Sequence, residues 1–405
     1  MEVFKIEEHE SISDNRQIGI IQNLCLNFSV EDNKVKYLNL SSNLTASYII
    51  GIDWLKENEY ALMVSPKIKN LDYLEMFMHC FNSEAASKEL EKVYKINFDK
   101  APIKIPGNNF QITPLLIVHF LKVVENIVRK GLKKDFTRVS ENLNSKIKGK
   151  VILSRNFKTN ILKGRSDRNF CTYQDYTADC IENKIIKKAL GFVDIYLSKN
   201  LKEIAQLRSI FNYCYSAFSA VTDDIDIKHI KQPRLNPLYK EYTEAIYLSK
   251  MIFKRFGYSI HEASTVSENN LPPFWIDMSK LFELYVLCKL KDVYKSQINY
   301  QVHGNYGDAD FLKIDDKIII DTKYKLLYVN DNKYNIDNVR QLSGYARDKR
   351  LLRKMDITDE STVVDCLIIY PDLTKPDSFV DRKLKEEKID QFIKFFKIGI
   401  SLPIQ

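Results

Sequence analysis

The sequence predicts a mixed α+β protein in three parts: a β-rich N-terminal domain (residues 1–100), a mainly helical middle (101–265) and an α/β C-terminal domain (266–405). Three observations predict it. Short apolar runs broken by Asn, Asp and Ser clusters fill residues 17–67. Apolar residues then recur at helical spacing as far as residue 257. From residue 276 onward, helical and alternating patterns succeed one another in the order α-β-β-β-α-β. With 405 residues, 45% of them hydrophobic and 28% charged, the chain can bury more than one core, and a disordered composition is excluded.

In chain order, the runs 18–30, 35–40, 46–52 and 60–64 read as strands. Leu74, Phe77, Met78 and Phe81, then Ile117, Leu121, Val124 and Val128, mark amphipathic helices. A strand-like stretch near Val151 precedes a mostly helical region, 174–257, in which Ile185, Ile186, Leu190, Val193 and Leu197 share one side. The polar segment 261–274 contains Pro272-Pro273, which cannot continue a helix and marks a domain boundary. Beyond it lie a helix (277–293), strands (297–303, 308–314, 317–324), a helix (337–351) and a strand (363–370). A strand, helix and parallel strand in one sheet require a right-handed crossover, so the last helix should cover a sheet face.

The net charge of +8 is unevenly spread: residues 129–168 hold thirteen Lys or Arg against Asp135, Glu141 and Asp167. Arg129, Lys130, Lys133, Lys134 and Arg155 are therefore candidates for contact with nucleic acid or with a protein partner; a solvated basic face is the alternative. Seven scattered cysteines without a C-x-x-C pair read as buried free thiols, and six dispersed histidines form no H-x-x-x-H zinc pair. The first residues lack a basic stretch followed by an apolar one, and the apolar run near Ile112 is too short to cross a bilayer. The expectation is a cytoplasmic protein without membrane contact.

The chemistry is concentrated in residues 307–325. Asp315-Asp316 is a turn signal between two apolar strands, and a two-residue loop there brings Asp310 opposite Asp321. Lys323 shares their face by alternation. Two carboxylates so close repel each other unless a hard divalent cation neutralises them, which points to Mg²⁺, with Mn²⁺ as an alternative, and to phosphodiester hydrolysis. Asp310 and Asp321 are then metal ligands, and Lys323 orients water or stabilises transition-state charge. Glu283, inside an almost wholly apolar helix, needs a cation or the metal as partner; a structural lysine would also serve. Gln341 and Tyr345 lie four apart on one helix face as supporting residues, or as plain surface helix.

The D-x10-D-x-K spacing resembles the PD-(D/E)xK nuclease superfamily, with Ala309 in place of the proline. A second literal match, Pro371-Asp372 or Pro376-Asp377 with Glu386-Glu387-Lys388, is set aside because a charged helical run there offers no pair of buried strands. More broadly, Val64-Ser-Pro-Lys-Ile68, Arg129-Lys-Gly-Leu132, Asp179-Cys-Ile-Glu-Asn183, Leu281-Phe-Glu-Leu-Tyr285 and Asp321-Thr-Lys-Tyr-Lys325, in this order, resemble the McrC-like subunits of McrBC-type restriction systems. That resemblance implies a restriction-endonuclease-like C-terminal core and a nuclease subunit acting on double-stranded DNA. It also implies a partner, an McrB-like AAA+ GTPase ring that recognises modified DNA such as 5-methylcytosine and is stimulated through the N-terminal domain. No G-x-x-x-x-G-K-[ST] loop occurs, so nucleotide would be bound by the partner and not by this chain. A stand-alone nuclease on branched or damaged DNA, and a catalytically silent activator of an AAA+ NTPase, remain the competing readings.

Overall fold

A computed structural model describes residues 1–28, 35–105, 112–199, 205–226, 239–256, 270–329, 334–359 and 361–404. The chain forms two compact units, one from residues 1–110 together with 268–405 and the other from residues 111–267. The expected N-terminal and C-terminal segments thus share one unit, and the middle segment makes its own.

The first half of the larger unit contains β1 (Glu2–Glu7), α1 (Asn15–Asn23), β2 (Ile49–Lys56), β3 (Tyr60–Ser65), α2 (Tyr73–Asn82), α3 (Glu84–Ser87), β4 (Tyr94–Ile96) and β5 (Ile103–Lys104). Two expected strands fail here. The run 18–30 becomes α1, opened by Asp14, whose carboxylate accepts from the Arg16 amide at 2.8 Å; residues 29 and 30 lie outside the described residues. The run 35–40 becomes a single 3₁₀ turn, because Tyr37, Leu38 and Asn39 all adopt positive φ, which no strand tolerates.

The smaller unit holds α4 (Ile112–Lys130), β6 (Asp135–Asn144), β7 (Lys150–Val151), α5 (Leu153–Thr159), β8 (Arg168–Thr177), α6 (Ile181–Lys199), α7 (Ala205–Ala217) and α8 (Lys240–Arg255). The middle is thus not helical throughout. β6 and β8 pair antiparallel along ten residues each, with β7 on the far side of β8. The long helices bury apolar faces against one another, with Leu121, Val124, Ile186, Leu190, Ile252 and Phe253 withdrawn from solvent.

The chain then returns to the larger unit through β9 (Asn270–Leu271), β10 (Phe274–Asp277), α9 (Met278–Tyr294), β11 (Ile298–His303), β12 (Asp308–Lys313), β13 (Ile318–Thr322), α10 (Ile336–Tyr345), α11 (Lys349–Lys354), β14 (Asp365–Pro371), β15 (Glu387–Lys388) and β16 (Phe395–Ile400). Of the expected boundary segment 261–274, residues 261–269 lie outside the described residues. Its last residues begin β10, which inserts between β2 and β4 in a five-stranded sheet of order β1-β3-β2-β10-β4. The close approach requires glycine at position 51. Its φ is +138°, and an added Cβ would stand 2.2 Å from the Phe274 carbonyl oxygen.

The second sheet has the order β11-β12-β13-β14-β16-β15. β12 and β13 are antiparallel, and β13, β14 and β16 run parallel. Ile318, Ile319 and Ile320 are fully buried, as a central strand covered on both faces demands. Val339 and Leu342 of α10 pack on Cys366 and Ile368, covering one face as expected. The helix expected over 337–351 is two, because Asp348 caps α11 by accepting from the Arg350 and Leu351 amides. The charged helical run expected before Lys388 is instead turns leading to β15, a two-residue edge strand.

Candidate active site

The hairpin carries the site in the predicted register. Phe311 pairs with Ile320 and Leu312 with Ile319, and the Lys317 amide closes the turn on the Ile314 carbonyl at 3.1 Å. The same register sets Asp310 opposite Asp321. Asp310 Oδ2 accepts from both the amide and the hydroxyl of Thr322, each at 2.7 Å. Thr322 was not foreseen, since nothing in a D-T-K triplet announces a side chain that ties the two strands together.

Asp321 is 1% exposed, and its Oδ2 lies 2.6 Å from Lys323 Nζ. The contact is an ion pair outside hydrogen-bond angles, so this buried oxygen has no hydrogen-bond donor. Lys323 Nζ donates to Gln341 Oε1 at 3.0 Å, and Gln341 Nε2 donates to the Tyr345 hydroxyl at 3.0 Å. The four side chains Asp321, Lys323, Gln341 and Tyr345 thus form one continuous polar chain from the sheet onto α10.

Glu283 stands on α9, where Lys280 Nζ and Gln301 Nε2 both donate to its Oε1 at 2.9 Å. Lys280 also reaches the Tyr300 hydroxyl at 2.9 Å. The cation expected beside Glu283 is therefore a lysine one turn away on the same helix. Glu283 still belongs electrostatically with the aspartates. Burial, then the charges of Asp321 and Glu283, push the Asp310 carboxyl up to about 7. Burial also raises Asp321 against the pull of Lys323. For Lys323, burial alone would lower its pKa, but pairing with Asp321 and the charge of Asp310 lift it, so the ammonium is firmly held.

These donors fit a hard divalent cation in part. Burial and the neighbouring charge of Asp321 raise the proton affinity of the half-buried Asp310, and Asp321 Oδ2 is a buried oxygen without a donor. Among the described residues, however, no three His, Cys, Asp or Glu side chains converge as a ready-made cluster. Asp310 and Asp321 supply the pair, and Glu283 is held back by Lys280 and Gln301.

A cluster that sequence reasoning missed lies behind the site. Glu8, 3% exposed, accepts from the Lys67 amide at 3.0 Å, and Lys67 Nζ donates to the Tyr324 carbonyl at 2.6 Å while standing 3.7 Å from the Tyr324 ring centre. Burial raises Glu8 and lowers Lys67, each partly restored by the other. Tyr324 follows Lys323, so the start of the chain braces the strand that carries the site.

The basic middle segment is only partly spent on internal pairing, with Lys146, Lys150, Lys158, Lys163, Arg165 and Arg168 exposed. Arg129 pairs with Glu125 and Lys130 with Glu241. Lys133 reaches Glu182 at 2.7 Å and Asp135 at 3.2 Å. Arg155 stacks 4.5 Å from the Phe170 ring, and Lys134 is exposed. Six of the seven cysteines are buried, Cys25 being exposed. No helix among the described residues is long and apolar enough to cross a membrane.

Two solved assemblies are similar to this chain. One is a half-complex from a tetradecameric assembly of Thermococcus gammatolerans McrB AAA+ hexamers with bound McrC; identity is 15%, 99% of this chain and 94% of that chain are covered, and the TM-score is 0.38. The other is the Thermococcus gammatolerans McrBC complex, at 14% identity, 74% and 90% coverage and a TM-score of 0.33. No curated protein sequence matches. The profile of the family described as McrBC 5-methylcytosine restriction system component matches residues 44–350, a span that runs from β2 through the Asp310, Asp321 and Lys323 hairpin to α10, and the chain belongs to that family.

Proposed function

We propose that this chain is the McrC-like nuclease subunit of a modification-dependent restriction system, a cytoplasmic endonuclease that hydrolyses DNA phosphodiesters with Mg²⁺ on a PD-(D/E)xK core. The observation that carries the proposal is the β12–β13 register, which extended by one residue sets Asp310 opposite Asp321, with Lys323 held against Asp321 at 2.6 Å. Asp310 and Asp321 would hold the cation, with Glu283 entering once released from Lys280. When bound, Mg²⁺ polarises a phosphoryl oxygen and makes water more acidic.

The chain's own residues do the rest. Thr322 fixes Asp310 Oδ2 with two donors and leaves the other oxygen to face a ligand. The Lys323 ammonium has three N–H donors. One is spent on Gln341 Oε1, and with the ammonium held beside Asp321 by charge the others are open to the attacking water or a phosphoryl oxygen. Its positive charge, fixed before the reaction starts, favours a transition state in which negative charge grows on the phosphoryl oxygens. An McrB-like AAA+ GTPase would be the chain's partner, recognising the modified base and gating the cut.

Plasmid cleavage tests this directly. Methylated and unmethylated DNA are incubated with the purified chain and Mg²⁺, alone and with an AAA+ partner plus nucleotide. The expected result is cutting that needs partner and nucleotide and is lost in Asp321→Ala. Cutting by the Asp321→Ala complex at the normal rate would refute the assignment of the site.

A further inference from the structure

We propose that the loop 304–307, with Tyr306 at its tip, and the cationic surface of Arg347 and α11 together form the surface that seats duplex DNA at the Asp310 and Asp321 site. This deepens the nuclease reading and rests on it. Arg340 of α10 is paired with Asp337 at 3.2 Å, but residues 347–354 contain Arg347, Lys349, Arg350, Arg353 and Lys354 against the single acid Asp348. On α11 the buried Leu351 and the adjoining Met355 pack into the core beside Val302 and Leu312. Lys349, Arg350, Arg353 and Lys354 are all exposed. Among the described residues no carboxylate stands in ion-pair range of Arg347, Arg353 or Lys354.

The loop is built, and it is built around an aromatic ring that buries nothing. Asp348 accepts from the Asn305 amide at 2.6 Å and from Asn305 Nδ2 at 2.9 Å while capping α11. The Gly304 amide meets the Gly307 carbonyl at 2.8 Å, and Arg350 reaches the Gly304 carbonyl at 3.5 Å. Tyr306 is nonetheless 99% exposed. Ordering a short loop has an entropic cost that an idle surface tyrosine does nothing to offset. A tyrosine projecting into water from a hydrogen-bonded loop is suited to lie against a deoxyribose or a base edge.

The position is what ties this surface to the chemistry. Gly307 adopts a φ of +146°, and a Cβ there would lie 3.2 Å from the Tyr345 hydroxyl. That hydroxyl is the far end of the polar chain that starts at Asp321. The loop and α11 therefore begin where the site ends. A polyanion approaching Asp310, Asp321 and Glu283 is repelled by them, so the attraction that holds DNA has to come from cations beside the site. Arg347 and α11 supply them.

The test reads DNA binding rather than cutting. A labelled duplex of about three helical turns is titrated with the intact chain in EDTA at several salt concentrations, and binding is followed by fluorescence anisotropy. Arg353→Ala with Lys354→Ala is expected to lower the slope of log affinity against log salt by about 1 to 2 and to weaken binding tenfold or more. Tyr306→Ala should weaken binding several-fold without changing the slope, and Tyr306→Phe should restore most of it. Lys158→Ala with Lys163→Ala, in the smaller unit, should change neither. Unchanged slope and affinity in the α11 variant, an effect confined to the Lys158 and Lys163 variant, or no duplex binding by the intact chain would overturn the proposal. A chain that binds as described but never cuts with partner and Mg²⁺ would refute the nuclease reading and leave this surface standing.

Discussion

Replacing Asp310 by asparagine separates the cost of the acidic pair from its use. In the folded, metal-free chain, burial and the charges of Asp321 and Glu283 lift the Asp310 carboxyl from 3.8 to about 7. Between about pH 4 and pH 7 the native state therefore binds more protons than the unfolded state, and stability falls as pH rises through that window. Three pKa units at 1.36 kcal/mol each correspond to about 4 kcal/mol lost by pH 8. The side chain is only half-buried, so about 2 to 4 kcal/mol is the expected range. Asparagine keeps an oxygen to accept from the Thr322 amide and hydroxyl and carries no charge. In EDTA at pH 8, Asp310→Asn should melt roughly 4 to 16 °C above the parent, since 1 kcal/mol moves a melting point by about 2 to 4 °C at this size. At pH 4, close to the unfolded carboxyl's own 3.8, the folded parent holds the proton and the unfolded chain holds roughly half of one, so the difference should nearly vanish. Added Mg²⁺ should raise the melting point of the parent and not of the variant. Thermal melts followed by intrinsic fluorescence decide it. An equal gain at pH 4 and pH 8, or a variant less stable at pH 8, would refute the reasoning.

Gln341→Leu removes the acceptor that aims the Lys323 ammonium, so cleavage by the complex should fall roughly 10- to 100-fold while duplex affinity holds; equal losses in both would point to a folding defect. Lys67→Met leaves Glu8 buried without its cation and the Tyr324 carbonyl without a donor, at a cost of about 3 to 5 kcal/mol. Adding Glu8→Gln to that variant should recover at least half of the loss, read by chemical denaturation of the two singles and the double, and strict additivity would show that the two side chains do not act as a pair. Gly51→Ala drives a Cβ into the Phe274 carbonyl and should lose more than about 3 kcal/mol, seen as a collapse in soluble yield; a normal yield would mean that β10 does not pair with β2 as described.

The hairpin was legible because everything that defines it is local. Asp315-Asp316 names the turn, alternation names the faces, and the length of the loop sets Asp310 opposite Asp321 with no further information. The nearby polar chain was half legible, since Gln341 and Tyr345 share a helix face but nothing in the sequence says which sheet residue they meet. The N-terminal region misled for a physical reason. In α1 the apolar residues Ile18, Ile20, Ile21 and Leu24 satisfy strand and helix periods almost equally, and only the Asp14 cap breaks the tie. The Glu8, Lys67 and Tyr324 brace was illegible, because its key bond joins residues 257 positions apart. The pairing of β10 with β2 and β4 carried no signal for the same reason: Trp275 and Ile276 read locally as the approach to a helix.

The insertion of β10 between β2 and β4 has a consequence for how the chain is made. As the nascent chain leaves the ribosome, β2 and β4 emerge early, but the strand that joins them arrives about 180 residues later, after the whole of the smaller unit. At 5 to 20 residues per second that is a wait of roughly 10 to 40 s. During it, the edge of β2 facing the future β10 presents Ile49, Ile50 and Ile52 with unpaired backbone groups. Translation that stalls or terminates anywhere before residue 274 would therefore release a sticky half-sheet, and cells making this protein should need a chaperone for the first part of the chain more than for the last.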